Sequence, residues 1–261
     1  MADHIIIIGA GASGLMAAYS AAKNGAKAIV LEKNHVPGRK ILASGAGKCN
    51  LTNKNVSAKN YHLKDSCFIE KVFKILPPAE IPRIFENLGL VLSQEPDGRV
   101  FPRCGKSKEV VDVLLNSIEE YGVEIHALTE VVEIKKKKLV FILKTESAKP
   151  PWHKEAFRPE HKEFCADRVI LAAGSASYPQ IGGTRRGYEL AKSLGHAISE
   201  LRPSLVPLRV KESFGTAALR PQGGFFEFRQ RGNFLLNQFF SGIRSSKTRG
   251  IRGKQMEKNE G

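Results

Sequence analysis

The 261-residue sequence predicts an α/β protein whose N-terminal part is a strand–helix–strand unit on a parallel sheet. Residues 5–8 are all isoleucine, a β-branched apolar run expected of a strand that is covered on both faces. The Ala-rich segment 15–23 predicts a helix, and Asn24-Gly25 predicts its end. Residues 28–31 predict a second strand, which Glu32 follows.

Three glycines between the first strand and the helix have GxGxxG spacing. In a dinucleotide site, Gly9 would allow the tight turn, Gly11 the close approach of a pyrophosphate, and Gly14 the packing of helix on strand. Glu32, about 20 residues downstream, is placed to accept hydrogen bonds from a ribose. An acidic residue there disfavours a 2′-phosphate, so the pattern indicates a Rossmann-like site for FAD or NAD rather than NADP. The alternative is a glycine-rich turn with a purely structural role.

A segment of small residues, GRKILASGAGKCNLTN (residues 38–53), comes shortly after Glu32. It is too irregular to predict a helix, and Gly45 and Gly47 interrupt any strand. Its small residues would let the backbone approach a flat ring or a phosphate. We therefore expect this loop to lie along the cofactor, and the alternative is a surface loop that returns to the sheet.

Composition and charge exclude several other classes of protein. Four widely spaced cysteines without a CxxC pair argue against a zinc knuckle, a redox-active dithiol and a disulfide framework. No apolar run is long enough to span a bilayer, and we expect a cytoplasmic protein. The net charge of +15 attracts phosphates, but no nucleic-acid-reading motif is present, so nucleic acid is not an expected partner. His153 and His161 lack a convincing third ligand, so no metal site is expected.

Residues 38–53, GRVFPRCGKSKEVVDVL (98–114) and residues 166–196 together resemble one group of bacterial flavoproteins. These are the BaiN-like NAD(P)/FAD-dependent oxidoreductases, also labelled aminoacetone oxidase family FAD-binding enzymes. The resemblance covers roughly residues 3–214. It implies a Rossmann-like FAD-binding domain of the two-dinucleotide-binding flavoprotein type, with the start of an inserted substrate domain. Residues 184–187 depart from the family pattern, because Arg185 and Arg186 stand where a Gly-Asp-Gly turn is usual.

The same resemblance implies a role for individual residues in holding FAD. The pyrophosphate would meet the glycine turn, and Glu32 would hold the adenosine ribose. The implied cofactor-binding residues are Gly9, Gly11, Ser13, Gly14, Glu32, Lys33, Lys40, Gly47, Cys49, Asn50, Val131, Ala173 and Gly174. Of these, Gly47, Cys49 and Asn50 would lie on the flavin side, and Val131 would meet the adenine through its backbone. NAD(P)H is an expected transient donor, and the sequence offers no candidate for a catalytic base.

The predicted domains are a FAD-binding domain over 1–200, the start of a substrate domain over 201–214, and a divergent tail over 215–261. The tail contains many phenylalanine, glycine and basic residues without a steady period, so we expect it to be disordered. Because the resemblance ends at Phe214, a C-terminally truncated or frame-shifted product is the hypothesis.

The function predicted from the sequence is that of a FAD-dependent oxidoreductase acting on a small organic substrate. One alternative is an inactive or partly active remnant that binds FAD weakly, and another is an RNA-modifying flavoprotein. An ordinary NAD dehydrogenase is disfavoured, because such a site needs no extension like residues 38–53. Oligomeric state is not indicated by any pattern in the sequence.

Overall fold

A computed structural model describes residues 2–61 and 66–201, except for the side chain of Ser66. Residues 1–198 form one compact unit, and residues 199–261 belong to a second. The predicted start of a substrate domain at 201–214 and the predicted tail at 215–261 lie outside the described residues, apart from Leu201.

Strands and helices alternate along the first half of the chain, and strands dominate the second. The strands of the described residues are β1 (His4–Ile8), β2 (Lys27–Leu31), β3 (Thr52–Asn53), β4 (Leu92–Gln94), β5 (Arg99–Pro102), β6 (Glu124–His126), β7 (Thr129–Lys137), β8 (Val140–Ser147), β9 (His161–Ala166) and β10 (Arg168–Leu171). The α-helices are α1 (Ala12–Lys23), α2 (Arg39–Ala43), α3 (Ser66–Ile75), α4 (Glu80–Asn87), α5 (Ser107–Glu120) and α6 (Arg186–Ser193). Short 3₁₀ turns cover Ala58–Asn60 and Pro179–Ile181, and residues 44–47 form a tight turn in which Gly45 and Ala46 have positive φ.

A parallel four-stranded sheet in the order β10-β1-β2-β6 forms the centre of the fold. Ile7 is fully buried and belongs to the same core cluster as residues of α1 and α5. Ile6 and Ile8 point to the other face, where their cluster includes Val131 and Leu143 of the β7–β8 pair. The isoleucine run is therefore covered on both faces, as predicted, and the fold is of the Rossmann α/β type.

Two antiparallel sheets complete the described part. The meander β7-β8-β9 covers one face of the central sheet, and in the small sheet β3-β5-β4 a turn at Asp97-Gly98 joins β4 to β5. Three consecutive lysines, Lys135–Lys137, end strand β7, which pairs with β8 as an antiparallel hairpin. No helix in the described ranges is both long and apolar enough to cross a membrane.

The expectation that residues 38–53 contain no helix was wrong, because α2 occupies their first part. Gly38 adopts φ +72 and starts this helix, and the amide of Leu42 donates to the Gly38 carbonyl oxygen at 3.0 Å. Ile41 is buried in the core, which fixes one face of the helix. The Ser107 hydroxyl donates to the Leu42 carbonyl oxygen at 2.8 Å, so a distant part of the chain satisfies the helix end.

Candidate functional site

A cleft with an empty volume of about 700 Å³, part of it open to solvent, lies at the carboxyl ends of β1, β2 and β10. Its wall contains Gly9, Gly11, Glu32 and Gly174, each of which follows one of these strands. Ligands of open α/β sheets bind in this position, beyond the strand ends. The start of β7 forms another part of the wall, so the meander contributes to the same cleft.

The glycine turn brings two backbone segments into very close contact. Gly9 has φ +103, and a Cβ there would lie 2.5 Å from the Ala172 carbonyl oxygen. A Cβ at Gly14 would lie 1.8 Å from the Gly9 carbonyl oxygen. Gly11 differs from both, because a Cβ there would meet no other atom within 4 Å. The space above Gly11 is thus open for a ligand, at the residue that precedes α1.

Glu32 is buried at the end of β2, and its carboxylate is held from two directions. Oε2 accepts a hydrogen bond from the Ala10 amide at 2.7 Å. Oε1 accepts from the amide of Asn34 at 2.7 Å and from its Nδ2 at 2.6 Å. A carboxylate offers about four acceptor positions, so one position on Oε2 is left for a further donor.

Cations outnumber carboxylates in the wall of the cleft. The wall includes Lys33, Arg39, Lys40 and Arg186, against Glu32 and Glu130. The Lys40 ammonium donates to the Ser175 carbonyl oxygen at 3.0 Å. Partial burial, and then the charge of Lys33, lower the pKa of Lys40 from its ordinary value. An anion bound nearby would favour the protonated form of Lys40 and oppose this shift of the pKa. The cleft is therefore suited to a phosphate-containing ligand.

Eight of the predicted cofactor-binding residues lie together in the wall of the cleft. They are Gly9, Gly11, Glu32, Lys33, Lys40, Val131, Ala173 and Gly174. Gly14 lies beneath the turn, and Ser13 is exposed in the first turn of α1. Val131 lines the cleft although the residue is only 2% exposed, and its backbone contact with adenine stays a prediction.

Gly47, Cys49 and Asn50 do not line this cleft. Gly45 and Ala46 both adopt positive φ and turn the chain, and the amide of Cys49 donates back to the Ser44 carbonyl oxygen at 3.1 Å. The amide of Leu51 then donates to the Val100 carbonyl oxygen at 2.9 Å, which joins the segment to β5. The assignment of Gly47, Cys49 and Asn50 to the flavin side of a cofactor remains a prediction.

Cys49 is buried in the core, and desolvation raises the pKa of its thiol, although a hydrogen bond with Ser44 opposes the shift. Because the thiolate is the reactive form, we expect iodoacetamide at pH 8 to modify Cys49 at least about tenfold more slowly than the exposed Cys104 and Cys165. Mass spectrometry of peptides over time measures the rates, with the unfolded chain in urea as the control. Equal rates for Cys49 and Cys104 in the folded protein would contradict this description.

Several residues of the cleft were not identified from the sequence. They are Asn34, Val36, Gly38, Arg39, Thr129, Glu130, Ile181, Gly182, Thr184, Arg186 and Leu190, together with backbone neighbours of the predicted residues. Arg39 lies within the motif of residues 38–53, so the motif could have indicated it. The departure at residues 184–187 was a second signal: Arg186 Nε lies 3.5 Å from Glu130 Oε1, and its Nη1 lies 3.0 Å from Glu189 Oε2.

A family model described as the HI0933-like protein Rossmann domain matches residues 3–260. The chain belongs to the HI0933-like family. This confirms the resemblance to the BaiN-like and aminoacetone oxidase-like flavoproteins. The family model extends to residue 260, beyond the expected end of the resemblance at Phe214, and the divergent tail over 215–261 stays a prediction.

Two relatives of this HI0933-like chain carry different descriptions. The 3-dehydro-bile acid delta(4,6)-reductase of Clostridium scindens is 35% identical over 212 residues, which are 80% of this chain and 48% of the relative. The ribosomal RNA dihydrouridine synthase of Haemophilus influenzae is 29% identical over 212 residues, 80% of this chain and 49% of the relative. The chain thus spans about half the length of these relatives.

Among solved structures, the open conformation of a flavocytochrome c3 fumarate reductase is similar to this HI0933-like chain. The TM-score is 0.53 at 21% identity, and the match covers 75% of this chain and 41% of the other. At this identity the likeness shows the fold alone. Within residues 2–61 and 66–201, no group of three His, Cys, Asp or Glu side chains is arranged to hold a metal ion.

Proposed function

We propose that the chain binds FAD in the cleft and forms the cofactor-binding part of an oxidoreductase that acts on a small organic substrate. The observation that carries this proposal is the open space above Gly11 next to the unused acceptor position on Glu32 Oε2. A pyrophosphate needs close access to backbone amides, and the adjoining ribose needs an acceptor for its hydroxyl groups. The cleft offers both within one turn.

The residues present fit the adenosine and pyrophosphate parts of FAD. The backbone at Gly9 and Gly11 would hold the pyrophosphate, with Lys40 as a nearby cation. Glu32 would accept from the ribose, and the backbone of Val131 would meet the adenine. FAD supplies the capacity to accept and donate hydride, while the protein binds and orients it. The described residues offer no group that we assign to proton transfer.

The substrate class and the electron donor are proposed from the family. A relative named as a 3-dehydro-bile acid delta(4,6)-reductase supports the reduction of a small organic molecule. NAD(P)H is the proposed donor, because a reductase requires a source of hydride.

The direct test is the visible absorption spectrum of purified residues 1–261, followed by anaerobic addition of NADH or NADPH. We expect a bound-flavin spectrum that bleaches with one of the two donors. A flavin spectrum without bleaching by either donor would support the alternative of an inactive remnant. A folded, colourless protein that takes up no added FAD would contradict the proposed cofactor.

Lys40→Met should weaken ADP binding roughly tenfold at pH 7, because a charge-assisted contact contributes about 1.5–3 kcal/mol, partly offset by desolvation.

The lowered pKa of Lys40 also sets the pH dependence of ADP binding. Wild-type affinity should be complete below this pKa and fall as the pH rises through it, whereas the variant should not show this fall. Calorimetric titration from pH 7 to pH 11 measures both effects. Lys48→Met, at an exposed residue outside the cleft, is the matched control. Equal affinities of Lys40→Met and wild type would contradict the role of Lys40.

A second candidate function is modification of RNA. It is favoured by the relative named as a ribosomal RNA dihydrouridine synthase and by the net charge of +15. An RNA-binding role predicts affinity for ribosomal RNA fragments that falls steeply with salt, in proportion to the number of phosphates contacted. Gel-shift assays between 50 and 200 mM salt (about 10³-fold loss for six contacts) test it. Binding no tighter than to a polyanion such as heparin would exclude it.

A further inference from the structure

Asn34 connects the acidic and basic parts of the cleft. Its Nδ2 and its backbone amide both donate to Glu32 Oε1, at 2.6 and 2.7 Å. Its Oδ1 accepts a hydrogen bond from Arg39 Nη1 at 3.0 Å. The amide orientation is fixed by these partners, because Nδ2 faces a carboxylate and Oδ1 faces a guanidinium. A single side chain thus holds both charged groups.

A neighbouring turn closes against Asn34. Gly182 has φ +97, and a Cβ there would lie 2.8 Å from Asn34 Nδ2 and 3.0 Å from its Oδ1. The same turn is joined to Arg39, whose Nη2 donates to the Gln180 carbonyl oxygen at 3.3 Å. Any side chain at position 182 would therefore have to displace the Asn34 amide.

We propose that Asn34 is a positioning residue that determines the selectivity of the cleft for a ribose carrying free hydroxyl groups. The backbone amide and Nδ2 of Asn34 occupy both acceptor positions of Glu32 Oε1, and the Ala10 amide occupies one position of Glu32 Oε2. These contacts fix the carboxylate rotation, so the remaining acceptor position on Oε2 has a single direction. This inference rests on the proposed function, because it assigns the ribose of a bound dinucleotide to Glu32.

A purely structural role and a positioning role for Asn34 predict different effects of its substitution on nucleotide affinity. Loosening the cleft as a whole would weaken all nucleotides equally. Loss of carboxylate orientation would weaken only those ligands that donate ribose hydroxyls. The ratio of the affinities for ADP and for 2′,3′-dideoxy-ADP separates the two roles, because these ligands differ only in the hydroxyl groups.

The experiment is calorimetric titration of wild type, three test variants and one control variant with both nucleotides. Wild type should prefer ADP by about tenfold or more, as expected for hydrogen bonds to a charged acceptor. Asn34→Ala removes both side-chain contacts, and Asn34→Asp keeps the acceptor for Arg39 but has no donor for Glu32. Both should reduce the preference to within about threefold of unity. Gly182→Ala should do the same by displacing the amide.

Gly195→Ala is the matched control for Gly182→Ala. Gly195 also has a positive φ, +89, but a Cβ there would meet no atom within 4 Å. It should therefore show the same backbone strain and keep the wild-type preference.

The outcomes distinguish this inference from the proposed function. Wild-type preference for ADP that persists in Asn34→Ala would overturn the positioning role and leave the proposed function intact. A preference kept in Asn34→Asp but lost in Asn34→Ala would overturn the role assigned to the Nδ2 donor. Failure of the wild type to bind ADP would overturn both the proposed function and the inference.

Discussion

Gly14→Ala should abolish FAD binding and lower the unfolding midpoint by roughly 6–12 °C. The added Cβ would lie 1.8 Å from the Gly9 carbonyl oxygen, a distance that no rotamer change relieves because both groups are fixed to the backbone. Helix α1 must move away from β1, and overpacking of this kind costs about 3 kcal/mol or more. In a chain of this size, that corresponds to the stated shift in midpoint. Thermal unfolding followed by circular dichroism and FAD titration measure the two effects.

Gly11→Ala provides the comparison for Gly14→Ala within the same turn. Gly11 has φ −83, and its Cβ position is open. This variant should keep the unfolding midpoint within about 2 °C of wild type, because neither strain nor a clash is introduced. It should still lose FAD affinity, since the methyl group would occupy the space that we propose for the pyrophosphate. Equal stability of Gly14→Ala and Gly11→Ala would contradict the packing role of Gly14.

Glu32→Gln should weaken FAD and ADP binding by about 30- to 100-fold. The amide retains one acceptor but places N–H groups where either the Ala10 amide or the Asn34 donors now point. Loss of a charged acceptor together with an unsatisfied buried donor costs about 2–3 kcal/mol. The titration is best made with both ligands, because ADP contains the ribose assigned to Glu32 and lacks the flavin.

Glu119→Gln is the control for Glu32→Gln, since Glu119 is an exposed residue of α5. It removes the same charge from the protein without touching the cleft, so affinity should remain at the wild-type value. Unchanged ADP affinity in Glu32→Gln would exclude Glu32 as the ribose acceptor.

The strand–helix–strand unit was predictable from sequence because its determinants are local. The isoleucine run, the glycine spacing and Glu32 all lie within the first 32 residues, and each acts on near neighbours in the chain. Helix α1 begins at Ala12, three residues before the predicted segment, and Gly11 is its N-cap residue. Such boundaries depend on backbone geometry that composition does not specify.

The parts that sequence analysis missed depend on contacts between distant residues. The Ser107 hydroxyl that satisfies the end of α2 is 65 residues from Leu42. The Arg186–Glu130 pair joins α6 to β7, and Gly182 meets Asn34 only after the chain has passed through the whole meander. No periodicity or motif places these residues together. The sequence showed which residues carry charge, and the fold determines which charges share the cleft.

Calorimetric titration of purified, flavin-free residues 1–261 with FAD tests the central claim most directly. We expect one FAD bound per chain, with ADP competing for the same site, because we propose that the described cleft holds the adenosine and pyrophosphate end of the cofactor. A folded protein that binds neither FAD nor ADP would contradict the assignment of the cleft at the ends of β1, β2 and β10.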